Sequence, residues 1–264
     1  MAAEAETQRT IELKNKINTN SYPDLHRYTY IYNKSSLSCP SNKKIILLVG
    51  QSLAANSGPK IKNFKSTKGL NYFESVCYQL SNISLGATGS RENLSFYISN
   101  QLENPDDFIW ITTAWGGSSI IEWGMKRSFL SEYTNRHLLT LIKESNSKLK
   151  YIIFMQGETD NGYTDQFDYG KYFLDSISNI IKNVESPMFK IILTRSSRCG
   201  SNQIDNQLNK IKEKLEFSKN IYLLNVTDSL NNSYRRDGCH LNQRGIKIAA
   251  KEIAKKIDYL EGNE

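Results

Sequence analysis

Five short apolar runs recur along the chain: Lys43–Gly50, Phe108–Ala114, Lys150–Met155, Phe189–Thr194 and Ile221–Val226. Unbroken runs of this length, rich in Ile, Leu and Val, predict strands buried on both faces. Between them apolar residues return every three or four positions. Leu94, Ile98 and Leu102 mark a helix face that stops at Asn104-Pro105. Tyr133–Ser145 places Leu138, Leu141 and Ile142 on one side, and Gln166–Val184 does the same with Tyr169, Phe173, Ile177 and Ile180 before Pro187. Further helices are predicted over Ile204–Phe217 and Gln243–Tyr259, the last with Ile246, Ala249, Ala250, Ile253 and Ile257 at helical spacing. Strands alternating with helices call for right-handed crossovers and a parallel sheet covered on both sides. The expected fold class is therefore α/β, a three-layer α/β/α sandwich around a central five-stranded parallel sheet.

Two stretches fall outside that rhythm. Residues 1–42 are polar, with one possible strand at Tyr28–Tyr32, and read as an arm or cap on a single domain spanning 43–264. Residues 57–90, rich in Gly, Ser, Asn and Lys, are too long for a simple connection and predict a lid or binding loop. The apolar runs are far shorter than a membrane span requires. The N-terminus has neither a basic segment nor an apolar one of the secretory kind, so cytoplasmic residence is expected. In a reducing compartment Cys39, Cys77, Cys199 and Cys239 would be free thiols. The net charge of +7 is spread over helices without an aromatic-interleaved basic stripe, which argues against a nucleic-acid partner. No His/Cys/Asp/Glu cluster has metal-ligand spacing, so no metal is expected.

The carboxyl ends of parallel strands share one edge of the sheet, where ligands bind. In this chain those ends carry Gly50-Gln51-Ser52, Trp115-Gly116-Gly117-Ser118-Ser119-Ile120, Gln156-Gly157-Glu158-Thr159-Asp160, Arg195-Ser196-Ser197-Arg198, and Arg235-Arg236-Asp237-Gly238-Cys239-His240-Leu241. Of three histidines, His26 lies in the arm and His137 within a helix. His240, three residues after Asp237, is the remaining base for a serine hydroxyl, with the aspartate accepting from one ring nitrogen. Glycine at 116 and 117 lets backbone N–H groups approach a substrate oxygen, and the Gln156 amide could point at the same oxygen.

These four blocks, around Ser52, Gly117, Gln156 and His240, resemble those of the SGNH (GDSL-like) hydrolase superfamily, and within it the sialate O-acetylesterase-type carbohydrate esterase branch. The resemblance runs over roughly residues 44–257, with Leu53 standing where an asparagine often follows the serine. It implies a flavodoxin-like SGNH-hydrolase fold, Ser52 as nucleophile, His240 as general base and Asp237 as its orienting acid. It also implies an oxyanion hole from the N–H groups of Ser52 and Gly117 and the Gln156 side chain. Gln51, Gly116 and Glu158 would line the substrate. Cys239, beside the base, would make activity sensitive to thiol reagents.

The implied reaction is removal of acetyl groups from sugar hydroxyls, with no resident cofactor. The same machinery could serve an O-acetyltransferase drawing on acetyl-CoA, and a non-catalytic flavodoxin-like binding module is a third reading. The module is disfavoured because no phosphate-cradling glycine run follows the first strand. Lys126, Arg127, Arg195, Arg198, Arg235 and Arg236 follow or precede the strand-end blocks. Guanidinium forks pair with carboxylates, so these residues predict an anionic carbohydrate such as a sialic acid, with Arg198, Arg235 and Arg236 as substrate contacts.

Overall fold

The computed structural model describes residues 35–162, 168–185, 188–199, 205–216, 218 and 220–263. His26, the expected strand at Tyr28–Tyr32, most of the expected arm and the ends of two expected helices lie outside these residues. Each of the five apolar runs is a strand: β2 (Lys44–Gly50), β5 (Phe108–Ala114), β6 (Lys148–Met155), β7 (Lys190–Thr194) and β8 (Ile221–Leu224). They pair in parallel in the order β5-β2-β6-β7-β8. The parallel series therefore starts at β2, moves one way to β5, and then crosses back to β6 and outward. That reversal is the topological switch point, where a crevice opens beyond the strand ends.

The sheet is larger than expected. β3 (Ser66–Phe73) and β4 (Val76–Ser81) form a hairpin, β3 pairs in parallel with β5, and the two-residue β1 (Ser36–Leu37) closes the edge antiparallel to β4. Among the described residues the order becomes β1-β4-β3-β5-β2-β6-β7-β8, eight strands with an antiparallel margin. Much of the expected 57–90 lid is thus an extension of the sheet. The cysteines are also corrected. Cys39 bonds to Cys77, pinning the strap beside β1 to β4, and Cys199 bonds to Cys239. None of the four is a free thiol.

Side chains alternate across the parallel strands, as a period of two requires. Ile46 and Leu48 of β2, Trp110 of β5 and Ile153 of β6 face a layer holding α1 (Leu94–Ser99) and α6 (Gln243–Glu261). Ile45, Leu47 and Val49, with Ile111 and Phe154, face the opposite layer. That layer holds α2 (Ile120–Gly124), α3 (Phe129–Ser145), α4 (Tyr169–Ile180) and α5 (Asn206–Leu215). Ile45 through Val49 are fully buried, each worth about 1.5–3 kcal/mol relative to exposure. The expected three-layer α/β/α architecture is present, and no described helix is long and apolar enough to cross a membrane.

Candidate active site

The turn after β2 is made by a backbone that only glycine tolerates at its first position. Gly50 has φ +131°, and a Cβ there would lie 2.0 Å from the Met155 carbonyl oxygen of β6. This close approach lets the Gln51 N–H donate to that oxygen at 2.9 Å, and the chain then coils through Ala54 and Ala55, whose N–H groups donate back to the Gln51 carbonyl. Ser52 sits half-buried at the start of this coil. Among the described residues its side chain has no hydrogen-bond partner, and its backbone N–H is not used.

His240, the expected base, lies on the loop that enters α6. The His240 Nδ1–H donates to Asp237 Oδ2 at 2.9 Å, and Asp237 Oδ1 accepts from the backbone N–H groups of His240 (2.8 Å) and Cys239 (3.1 Å). Burial pushes the Asp237 pKa upward, but the His240 amide, ring and charge, with the Cys239 amide, outweigh it and hold it at about 2. The carboxylate is therefore ionised at neutral pH, and it holds the tautomer that leaves Nε2 of His240 without a partner among the described residues. The loop is tied to the serine turn. Arg236 pairs with Asp237 at 3.0 Å and donates from Nε to the Ser57 carbonyl at 3.4 Å, while the Ser57 hydroxyl donates to the Ser52 carbonyl. The Cys199–Cys239 disulfide fastens the same loop to the chain leaving β7.

After β5, Trp115 donates its N–H to the Gly50 carbonyl and Gly116 donates to Thr88 Oγ1, which turns Gly117 outward. Gly117 has φ +75°, a Cβ there would meet nothing within 4 Å, and its N–H is unused among the described residues. Two backbone donors, at Ser52 and Gly117, are thus uncommitted.

The third expected oxyanion donor differs. Gln156 is fully buried, and its Nε2 donates to the Asp160 carboxylate, to the Ser118 carbonyl at 3.2 Å and to Gln51 Oε1 at 3.4 Å. Its hydrogens are committed to holding two loops together, so in this structure it positions the site rather than opening a donor into it. Three expected substrate contacts are also turned inward. Gln51 is 2 % exposed, and its Oε1 accepts from the N–H groups of Gly157 and Thr159. Arg235 is 5 % exposed, and its guanidinium donates to the carbonyls of Leu230, Thr227, Arg198 and Cys239, bracing the histidine loop.

Glu158 is the other inward residue, and neither of its carboxylate oxygens has a hydrogen-bond partner in another described residue. Burial drives its pKa up, against the nearby charges of Lys212 and Arg235. Lys212 is itself fully buried, donates to the carbonyls of Gln156 and Thr194, and has its pKa drawn down by that burial. Of the remaining expected cations, Arg195 pairs with Glu213. Arg198 is half-buried, and Lys126 and Arg127 are exposed.

Asp160 has a role the sequence reading did not assign. It is 1 % exposed and accepts from the Ser119 hydroxyl, the Ile120 N–H at 2.9 Å and Gln156. It thereby joins the loop after β6 to the first turn of α2. Its available signal was an acidic residue four positions after a buried amide in a strand-end block.

A family model described as a carbohydrate esterase, sialic acid-specific acetylesterase, matches residues 91–258, more than half of the chain. The match takes in Gly117, Gln156, Asp237 and His240, while Ser52 precedes it. No curated protein sequence matches. A solved structure of a protein from Arabidopsis thaliana superposes with a TM-score of 0.65 at 19% identity, covering 83% of this chain and 98% of that one. NanS gives 0.64 at 12% identity, covering 86% and 100%. Est24, a carbohydrate acetylesterase from Sinorhizobium meliloti, gives 0.54 at 13% identity, covering 83% and 100%. At such identities the superpositions establish a shared fold, and the sequence match supplies the rest. The chain belongs to the sialic acid-specific acetylesterase family of carbohydrate esterases.

Proposed function

We propose that this carbohydrate esterase removes acetyl groups from sugar hydroxyls by a serine mechanism, with Ser52, His240 and Asp237 as its triad. The observation that carries the reading is the Asp237–His240 pair, one nitrogen held and the other free, roped through Arg236 and Ser57 to the turn that bears Ser52. Ser52 Oγ attacks the acetyl carbonyl carbon as its proton passes to His240 Nε2. The N–H groups of Ser52 and Gly117 receive the oxyanion. The carbonyl re-forms, the ester C–O bond breaks, and the sugar oxygen takes the proton from His240. Water, deprotonated by His240, then releases acetate from the acetyl-serine. A resting serine without a hydrogen bond to its base is compatible with this, because such contacts often tighten only when substrate is bound.

The two disulfides favour an oxidising compartment over the cytoplasm. Acetyl-CoA is a cytoplasmic donor, so water is the acceptor this reading prefers over a second sugar. The decisive experiment incubates the protein with acetylated neutral sugars and acetylated sialic acid, with and without acetyl-CoA, and follows acetate. Acetate release independent of acetyl-CoA is expected, and it should fall by about 10³ or more in Ser52→Ala. An unchanged rate in that variant would remove Ser52 from the mechanism. Acetylated product formed only with acetyl-CoA would make the enzyme a transferase.

A further inference from the structure

A groove of about 750 Å³ lies between α1, the first turns of α6 and the chain segment 60–65. Lys60, Lys62, Lys65, Lys247 and Lys251 line it, all exposed and none ion-paired among the described residues. Lys247 and Lys251 stand one turn apart on the same helix face, where like charges repel. One acid, Glu92, shares the groove, but it is 8 % exposed and accepts from the Tyr97 hydroxyl and from Asn82 Nδ2. Five lysines against this single carboxylate leave the groove with a strong excess of positive charge. One exposed apolar side chain accompanies it, Ile248 at 39 %, while Phe96 of the lining is buried.

Two short stretches of chain link the groove to the candidate active site. On one side Ser57, bonded to the Ser52 carbonyl, leads through Gly58 and Pro59, which pair with Glu92, to Lys60. Lys60 is three positions after Ser57, a reach of at most about 11 Å. On the other side His240 leads through Leu241 and Asn242 into Gln243, which donates to Tyr97 at the groove wall.

We propose that this groove binds the acidic sugars next to the acetylated residue of an anionic glycan. Several carboxylates, spaced along an oligomer, meet several lysines, while an apolar sugar face lies on Ile248. The proposal rests on the reading of Ser52 as the reactive centre, and it replaces the expected arginine ring as the source of anion preference. The arginines of that ring are largely consumed by Glu213, Asp237 and backbone carbonyls.

The test uses the full chain, a de-esterified oligogalacturonate and a neutral xylo-oligosaccharide of equal length, with binding measured at 20 and 200 mM salt. Oligogalacturonate should bind, more weakly at high salt. The Lys60→Gln/Lys247→Gln/Lys251→Gln variant should bind it about tenfold less tightly, the sum of three modest exposed pairings. Hydrolysis of a small neutral aryl acetate should be the same in both proteins. Equal binding of the neutral oligomer, or undiminished binding by the triple variant, would overturn the proposal. If neither protein cleaves the aryl acetate, the serine reading fails on its own, while the binding arm still reports on the groove.

Discussion

Gly50 shows how strictly one position constrains the site. Any side chain there meets the Met155 carbonyl at 2.0 Å in a backbone region that L-residues avoid. Gly50→Ala should cost at least about 2 kcal/mol in urea denaturation, since strain and backbone overlap add. Asp237 gives a prediction that separates chemistry from stability. Asp237→Asn should fold, yet lower kcat by about 10²–10⁴ by favouring the wrong imidazole tautomer. Because the folded-state pKa is depressed from 3.8 to about 2, the stabilisation from this carboxylate is present above about pH 3.8 and lost as pH falls through 2. The asparagine variant should therefore lose that share of the acid-induced drop in Tm between pH 5 and 2. The effect should be small, because the side chain is 38% exposed. A variant with full kcat would dismiss Asp237 as the orienting group.

The five parallel strands were readable because their runs are largely apolar and, in all but the edge strand β8, mostly buried on both faces. The β3–β4 hairpin was not. Its strands mix Lys, Asn and Gln with aromatics, its register slips between Ser66 and Leu70, and its turn uses Glu74 and Ser75 at φ +50° and +64° in place of an Asn-Gly signal. α2 was also missed, although Ser119 and Glu122 form a capping box that announces a helix start. The disulfides were not legible, because four widely spaced cysteines carry no local signal of which pairs the fold brings together. They now predict a contrast. The two close loops of similar length, with separations of 38 and 40, so removing either pair should cost about 2–4 kcal/mol. Cys39→Ser/Cys77→Ser should leave kcat intact. Cys199→Ser/Cys239→Ser should lower it, because only that bridge holds the loop of His240. Equal kcat in both double variants would show that Arg235 and the Asp237 hydrogen bonds suffice to position the base.

The sheet brings residues nearly 190 positions apart to one edge, which is why the strand ends were informative together when single residues were not. What sequence alone did not convey is how the loops are locked to one another. Gln51 reaches from β2 to the loop after β6, Gln156 reaches from β6 to Ser118, and Asp160 reaches to Ser119 and Ile120 at the start of α2. Gly117 lies between Trp115, anchored on Gly50, and Ser118, anchored on Gln156. The direction of its N–H is thus a property of the whole edge. Asp160→Ala would leave Ser119, Ile120 and Gln156 with buried donors lacking their acceptor, at a cost of about 3 kcal/mol or more. If the network aims Gly117 at the oxyanion, kcat should fall while KM for a small ester changes little, since the interaction lost is made chiefly in the transition state. Asp160→Asn, which keeps one acceptor oxygen, should recover part of both. A destabilised Asp160→Ala enzyme with unchanged kcat, assayed well below its Tm, would confine the network to folding and leave Gly117 positioned by its own turn.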